Sequence, residues 1–230
     1  MGATRYRDGA RAAATLGVAV FAFGVSFGVL ARAAGMGRLA PIVMSATTFA
    51  GSAQLAAVSV LGAGGGVAAA VGAAVLLNLR YGPIGLSSAP ALAGPAWLRV
   101  ATAQLVVDES WAIAQRSGRG IDRRLLVGSG LLLYAAWVVG TAIGALAGGL
   151  AVDPARLGLD GAFPALFLAL LVAQLRRPAA GDGAAAGSRR SRWLAAAGGA
   201  AIALALLPVA GPGVPIVVAS LACLVGARRP

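Results

Sequence analysis

The chain has 230 residues, of which 59% are hydrophobic and only 11% are charged, and its formal net charge is +12. So apolar a chain lacks the polar surface of a soluble domain, and it is too hydrophobic for a disordered protein. Because it has no histidine, no lysine and a single cysteine, Ser-His-Asp triads, Walker phosphate loops, internal disulfides and CxxC sites are excluded. The composition predicts an all-α polytopic bundle of membrane helices that is not an enzyme and holds no cofactor or metal.

Eight apolar segments follow one another along the chain, and a bilayer core needs about 20 such residues per helix. They cover 12–31, 39–61, 67–88, 98–115, 125–150, 161–175, 193–208 and 212–227. The last three are short, so we expect some segments to be tilted, broken or re-entrant. The first lacks a convincing cleavage site and the chain stays apolar beyond it, which indicates a membrane helix and not a signal peptide.

We predict a single transmembrane domain over residues 1–230. When the sequence is aligned with itself at an offset of 118 positions, Phe49 matches Phe167 and Arg38 matches Arg156. This pattern predicts pseudo-repeats over 10–117 and 124–230, joined by cytoplasmic connections. The stretch at about 176–192 is rich in Gly, Ala, Ser and Arg, and it is predicted to be a flexible cytoplasmic linker.

The arginines lie between the apolar runs and do not form one basic patch, which favours membrane flanks over a nucleic-acid-binding surface. With the N-terminus in the cytoplasm and eight crossings, fourteen flanking arginines fall inside and four outside. Positive residues accumulate on the cytoplasmic side of membrane proteins. We therefore predict that both termini are cytoplasmic and that the chain contacts the lipid bilayer and no nucleic acid.

The second segment is unusually polar. On a continuous helix one face would carry Ser45, Thr48, Ser52 and Ser59, and another would carry Thr47, Gly51 and Gln54. Such residues either pack closely against neighbouring helices or line a cavity. Gln54 favours the cavity or a second polar helix, since an amide in mid-span needs polar partners.

The third segment contains Asn78, Arg80, Gly82 and Pro83. An arginine inside a span costs roughly 2.5–3.5 kcal/mol, and proline lacks the N–H that a helix requires. We predict that the helix breaks here and that the break is buried in protein or lines a cavity. The alternative is that the span ends early and Arg80 extends to the membrane surface.

The fourth segment carries Gln104, Asp108 and Glu109, with Gln104 and Asp108 on one face of a continuous helix. Intramembrane carboxylates are functional candidates, and the alternative is a purely structural ion pair with Arg80. Arg80 and Asp108 are each 14 positions from Gly94, the centre of a short connection, so they reach a similar depth at about 1.5 Å per residue. We predict that these two charges interact in at least one state.

Two glycine ridges allow close approach of helices, either within the chain or against a partner. One comprises Gly17, Gly24 and Gly28, and the other comprises Gly140, Gly144 and Gly148. At the start of the sixth segment, Phe163 and Phe167 are candidate pocket residues, with core or lipid contact as the alternative.

Several motifs, taken in order, resemble the AzlC family of branched-chain amino-acid permeases. They are Phe23–Gly28, Met44–Gln54, Asn78-Leu79-Arg80-Tyr81, Asp108-Glu109 and Gly158–Phe167, and together they cover about positions 10 to 225. The basic stretch Ser188–Arg192 and the small residue Gly161 depart from the family pattern, and Gly161 is expected to change the shape of the pocket.

The resemblance implies export of branched-chain amino acids across the bacterial inner membrane, driven by an ion or proton gradient and not by ATP. It also implies a small hydrophobic partner, an AzlD-type membrane subunit. The residues offer matching chemistry, because a guanidinium or helix N-terminus suits the substrate carboxylate, a carboxylate suits its ammonium, and apolar walls suit its side chain.

The predicted substrate-binding and transport residues lie in the polar segments, with two more in the sixth. They are Ser45, Thr48, Phe49, Gly51, Gln54, Asn78, Arg80, Asp108, Glu109, Phe163 and Phe167. Three other functions remain open: a channel or permease for another small solute, an intramembrane enzyme, and a structural subunit. An aspartyl enzyme needs two converging aspartates, and only Asp108 lies well inside a segment.

Overall fold

A computed structural model describes residues 5–116, 120–148, 168, 171–172, 175, 189–209, 218–219 and 222. The chain divides into two compact units, Met1–Leu157 and Gly158–Pro230. The all-α prediction is confirmed, since the described residues are almost entirely helical. The single domain over 1–230 and the pseudo-repeats stay predictions.

The first unit contains eight helices and one short hairpin in its described part. They are α1 (Tyr6–Ala33), α2 (Leu39–Thr48), α3 (Gly51–Gly62), α4 (Val67–Asn78), α5 (Tyr81–Ser88), a 3₁₀ turn (Ala89–Ala91), α6 (Ala96–Ala103), α7 (Asp108–Ala114), β1 (Gln115–Arg116), β2 (Gly120–Ile121) and α8 (Arg123–Ala147). The strands β1 and β2 are antiparallel. In the second unit, α9 spans Arg189–Leu206, and Gly198 and Gly199 let it approach Ala219 and Ala222.

The two glycine ridges pack against each other, so α1 and α8 form a close helix pair. A Cβ on Gly140 or Gly144 would overlap the backbone of Phe21 or Val25 in α1. A Cβ on Gly28 would likewise overlap the backbone of α8. The suggestion that the Gly140–Gly148 ridge binds a partner subunit is therefore wrong, because α1 of the same chain occupies that surface.

Substitution in this ridge should destabilise the chain itself. We expect Gly144→Ala to lower the melting temperature in detergent, because overpacking typically costs about 1–3 kcal/mol. Gly72 of α4 is the matched control, since nothing lies within 4 Å of a Cβ built there. Gly72→Ala should be neutral or slightly stabilising, since alanine is the better helix former. Equal melting temperatures for the two variants would contradict the close α1–α8 contact.

Three of the predicted segments, 39–61, 67–88 and 98–115, are each divided into two helices. Segment 67–88 bends by 43° between α4 and α5, as expected. The reason is that Pro83 has no N–H for the carbonyl of Leu79 four residues earlier. The continuous helices assumed for 39–61 and 98–115 are wrong. Phe49 turns left-handed (φ 42°, ψ 51°) between α2 and α3, and four residues separate α6 from α7.

The break between α6 and α7 has a local cause. The hydroxyl of Ser110 accepts the Val107 N–H at 3.0 Å and donates to the Leu105 carbonyl at 2.7 Å. A serine that bonds the backbone in this way competes with the helical hydrogen bonds. As a result, Gln104 and Asp108 do not share a helical face, and Asp108 is instead the first residue of α7.

Within the described part of the chain, α1 and α8 are each long and apolar enough to cross a membrane, and the bent pair α4–α5 is a third candidate. The count of eight segments and their orientation stay predictions. The segments 161–175 and 212–227 lie largely outside the described residues. The predicted linker 176–192 ends earlier than expected, because α9 already begins at Arg189 and arginine is a good helix former.

The α1–α8 pair is the centre of the first unit. Buried Phe27 of α1 stacks on buried Trp137 of α8, with ring centroids 5.9 Å apart. Helices α2, α3 and α7 pack on this pair, α4 packs on α3, and α5 contacts α7. This arrangement brings the three breaks together on one side of the pair.

Candidate functional site

Arg80 and Asp108 form an ion pair between two of the breaks. Nη2 of Arg80 lies 2.9 Å from Oδ2 of Asp108, and the side chains are 34% and 30% exposed. The same Nη2 donates to the hydroxyl of Ser52 in the first turn of α3 at 2.7 Å. The interaction expected from the equal spacing about Gly94 is confirmed, and Gly94 occupies the connection with a positive φ of 116°. Arg80 thus joins all three broken segments.

The beginning of α7 holds two carboxylates. Asp108 and Glu109 lie in its first turn, where the free N–H groups of a helix favour negative charge. Both are half-buried, and Asp108 is the one that pairs with Arg80. Trp111 of the same helix donates its indole N–H to the hydroxyl of Ser87 in α5 at 2.8 Å. The position of Asp108 therefore follows from the helix start and from its link to α5.

A cavity of about 270 Å³ lies between the broken helices. This is enough space for a small solute such as an amino acid. Its walls are mostly apolar, with a few polar groups: Thr48, Phe49, Ala50, Asn78, Tyr81, Gly85, Leu92, Ala103, Gln104 and Val106. The Oδ1 atom of Asn78 is buried and has no hydrogen-bond partner among the described residues. Because this oxygen has almost no accessible surface, the contact of Asn78 with the cavity is made by its other atoms.

The break at Phe49 removes helical hydrogen bonds, and side chains replace them. In a continuous helix Ala50 N–H would bond to Ala46 C=O, and Gly51 N–H to Thr47 C=O. Here the Ala50 N–H donates to Oε1 of Gln54 at 3.2 Å. The hydroxyl of Tyr134 donates to the Ala46 carbonyl, and Gln104 Nε2 donates to the Thr47 carbonyl. Three of these four backbone groups thus have side-chain partners.

Gln54 belongs to a buried polar network that connects α2, α3 and α8. Its Nε2 donates to the hydroxyl of Ser45 at 3.0 Å, and its Oε1 also accepts the indole N–H of Trp137 at 3.0 Å. The hydroxyls of Ser45 and Thr141 are 2.9 Å apart. Gln54, Ser45 and Thr141 are fully buried. Such a network fastens the broken segment to the central helix pair.

The structure divides the predicted site residues into four groups. Thr48, Phe49 and Asn78 line the cavity, whereas Arg80, Asp108 and Glu109 lie at the adjoining breaks. Three further predicted residues do not line the cavity. Ser45 and Gln54 belong to the buried network. Gly51 packs against Trp137, since a Cβ on it would lie 2.9 Å from the ring. Phe163 and Phe167 lie outside the described residues.

Several site residues had no place in the prediction. In the cavity wall they are Tyr81, Gly85, Leu92, Ala103 and Val106, and on α8 they are Tyr134, Trp137 and Thr141. A tryptophan and a threonine four positions apart in an apolar helix were a usable signal. The aliphatic wall residues carried none, because a side chain facing a cavity and one facing lipid have the same composition.

The fold and the site define an integral membrane protein with an internal polar site beside an apolar cavity. The family described as AzlC protein matches residues 15–151, a range that includes every break and all of α8. An "Uncharacterized membrane protein" from Archaeoglobus fulgidus is 31% identical over 193 residues, covering 82% of this chain and 80% of the relative. The chain belongs to the AzlC family, a family of membrane permeases and not of enzymes. No solved structure matches it.

Proposed function

We propose that this protein exports branched-chain amino acids across the cytoplasmic (inner) membrane, driven by an ion or proton gradient and assisted by a small AzlD-type subunit. The observation that carries the proposal is the apolar cavity whose polar edge holds Asn78 and adjoins the Arg80–Asp108 pair. Membership of the AzlC family supports transport as the class of activity.

The substrate carboxylate is assigned to Arg80. A carboxylate that enters from the cavity competes with Asp108 for the guanidinium, which is one third exposed and therefore open to exchange. At about 4 Å and an effective dielectric of 20, such an attraction amounts to roughly 4 kcal/mol. The substrate carboxylate and the Asp108 carboxylate attract the guanidinium about equally. Exchanging one for the other therefore changes the electrostatic energy of Arg80 little.

The ammonium is assigned to Asp108 and the aliphatic side chain to the cavity wall. Once the substrate carboxylate has displaced it from Arg80, the Asp108 carboxylate is the counter-charge for the ammonium. Leu92, Val106 and the ring of Phe49 are the apolar wall for the side chain. The cavity has few polar groups, which favours an aliphatic amino acid over a sugar.

Release of Asp108 supplies a means of coupling to a gradient. Once the substrate holds Arg80, the carboxylate of Asp108 has lost its counter-charge in a partly buried position. The substrate ammonium and a proton then compete for this carboxylate. A proton that binds Asp108 from outside would release the ammonium, so that an inward-moving proton exchanges for an outward-moving amino acid.

Proteoliposomes containing the purified chain, alone or with its small hydrophobic partner, test the function. We expect leucine efflux that increases when a proton gradient is imposed and is inhibited by valine and isoleucine. Gradient-independent flux of unrelated small solutes would indicate the alternative, a channel or permease for another solute. Absence of leucine movement under both conditions would contradict the proposal.

The orientation is tested by reporter fusions. A reporter attached at residue 120 or at residue 184 should report the cytoplasm, because fourteen of the eighteen flanking arginines then lie inside. Fusions at residue 94, in the predicted external connection, provide the opposite control. A cytoplasmic signal at 94, or an external signal at 120 or 184, would contradict the eight-crossing topology.

A further inference from the structure

We propose that Gln54 and Trp137 are positioning residues, which hold the break between α2 and α3 and so set one wall of the cavity. The inference rests on the proposed function in so far as that cavity binds the transported amino acid. It assigns Gln54 no contact with substrate, because Gln54 is fully buried and lies outside the cavity wall.

The conformation at Phe49 requires outside support. A left-handed backbone is unfavourable for a residue with a side chain, and it persists only where its surroundings enforce it. Phe49 itself is not a glycine, so its residue type does not favour this conformation, although Gly51 two positions later weakens the helix. Side chains that hold the backbone around Phe49 must therefore supply the support.

The Gln54 amide supplies that support from within α3. Its oxygen accepts the Ala50 N–H, the group that a continuous helix would have bonded to the Ala46 carbonyl. Ala46 is in turn bonded by the hydroxyl of Tyr134 at 2.7 Å. Both ends of the lost helical bond are thus occupied by side chains, which disfavours closure of the break.

Trp137 fastens the amide to the central helix pair. Its indole N–H donates to the same oxygen of Gln54, and its ring is fixed between Phe27 of α1 and Gly51 of α3. Because Trp137 is 3% exposed, rotation of its ring would need the surrounding helices to separate. The amide plane of Gln54 is therefore held in one orientation.

The break between α2 and α3 shapes the cavity because its residues form part of the cavity wall. The three consecutive residues Thr48, Phe49 and Ala50 line the cavity, and they are the residues at the break. Phe49 also contacts the ring of Tyr134 edge-on, with centroids 5.2 Å apart. If the break closed into a helix, these residues would rotate and the wall would change shape. Gln54 and Trp137 thus act on substrate binding through the backbone of residues 48–50.

Three variants of the network and one control test this inference in the full chain. Gln54→Leu removes both hydrogen-bonding groups. Trp137→Phe removes the indole N–H together with part of the ring, and Gln54→Glu keeps an acceptor and, when protonated, the donor. Trp193→Phe is the control, because Trp193 is 51% exposed on α9 and lies outside the first unit. Two readouts are measured: the KM for leucine in proteoliposomes, and amide hydrogen exchange of residues 49–54.

We expect Gln54→Leu to raise the KM at least about tenfold with a much smaller change in maximal rate, and to accelerate amide exchange at Ala50. Trp137→Phe should give a smaller increase of both, Gln54→Glu should restore the KM towards the wild-type value, and Trp193→Phe should change neither. If Gln54→Leu fails to fold, the comparison of Trp137→Phe with Trp193→Phe decides the question.

An unchanged KM and unchanged exchange in Trp137→Phe and Gln54→Leu would overturn the positioning role, as would a loss of thermal stability alone. Failure of the proposed function has a different signature, namely a wild-type chain that does not move leucine. In that case the exchange measurement still decides the inference. Faster exchange at residues 49–54 in Gln54→Leu, and not in Trp193→Phe, supports it, and equal exchange overturns it.

Discussion

Asp108→Asn is expected to abolish gradient-driven leucine export while leaving a folded protein. The amide keeps the shape of the carboxylate and can still accept from Arg80, so the packing of α7 against α5 should survive. It has no charge to exchange with the substrate and no proton to bind. Export should therefore fall to background or become independent of the proton gradient, and binding without transport is the most informative residual activity.

Arg80→Ala is expected to lose both transport and stability. It removes the link to Ser52 and leaves Asp108 without its counter-charge in a half-buried site. Truncating one partner of a buried charge pair costs about 2–5 kcal/mol, and the partial exposure here places the effect near the low end. The variant also loses the guanidinium that binds the substrate carboxylate. If that contact contributes about 2 kcal/mol to the free energy of binding, the affinity for leucine should fall roughly thirtyfold.

The double variant separates charge balance from binding. Asp108→Asn combined with Arg80→Ala restores neutrality, so its melting temperature should recover more than its activity. Arg38→Ala is the control, since Arg38 is exposed at the start of α2, and it should transport like the wild type. If Asp108→Asn and Arg80→Ala both export leucine at wild-type rates, the pair is not the transport site.

Gly85→Val is expected to shift selectivity towards smaller amino acids. Gly85 lines the cavity, and nothing lies within 4 Å of a Cβ built on it, so the new side chain projects into free space without backbone overlap. The three added carbon atoms reduce the free space in a cavity of about 270 Å³, which should disfavour the branched end of leucine. Single methylene groups in such pockets change discrimination roughly 10- to 200-fold.

The measurement compares kcat/KM for leucine, valine and alanine in the same proteoliposomes. For Gly85→Val the value for leucine should fall at least about tenfold relative to alanine. Gly72→Val is the matched control, because Gly72 lies in α4 with equally open space but outside the cavity wall. Equal effects of the two substitutions would show that this cavity does not hold the substrate side chain.

The class of the protein, one helix break and one ion pair were predictable from the amino-acid sequence. An apolar, charge-poor composition predicted a helical membrane protein, because no water-exposed surface can be built from it. Pro83 predicted the break in the third segment, since a missing N–H acts locally. The Arg80–Asp108 pair was predictable because each charge alone is costly inside a membrane and both lie at similar depth.

The break in the second segment and the composition of the cavity wall were not predictable, because both depend on contacts between residues far apart in the chain. The break at Phe49 depends on Tyr134 and Trp137, which lie more than 80 positions away in the chain. The glycine ridges were recognisable as packing surfaces, but their pairing with each other required the approach of α1 to α8. The apolar wall was not predictable, because the same aliphatic residues face lipid, a neighbouring helix or a cavity according to how the helices pack.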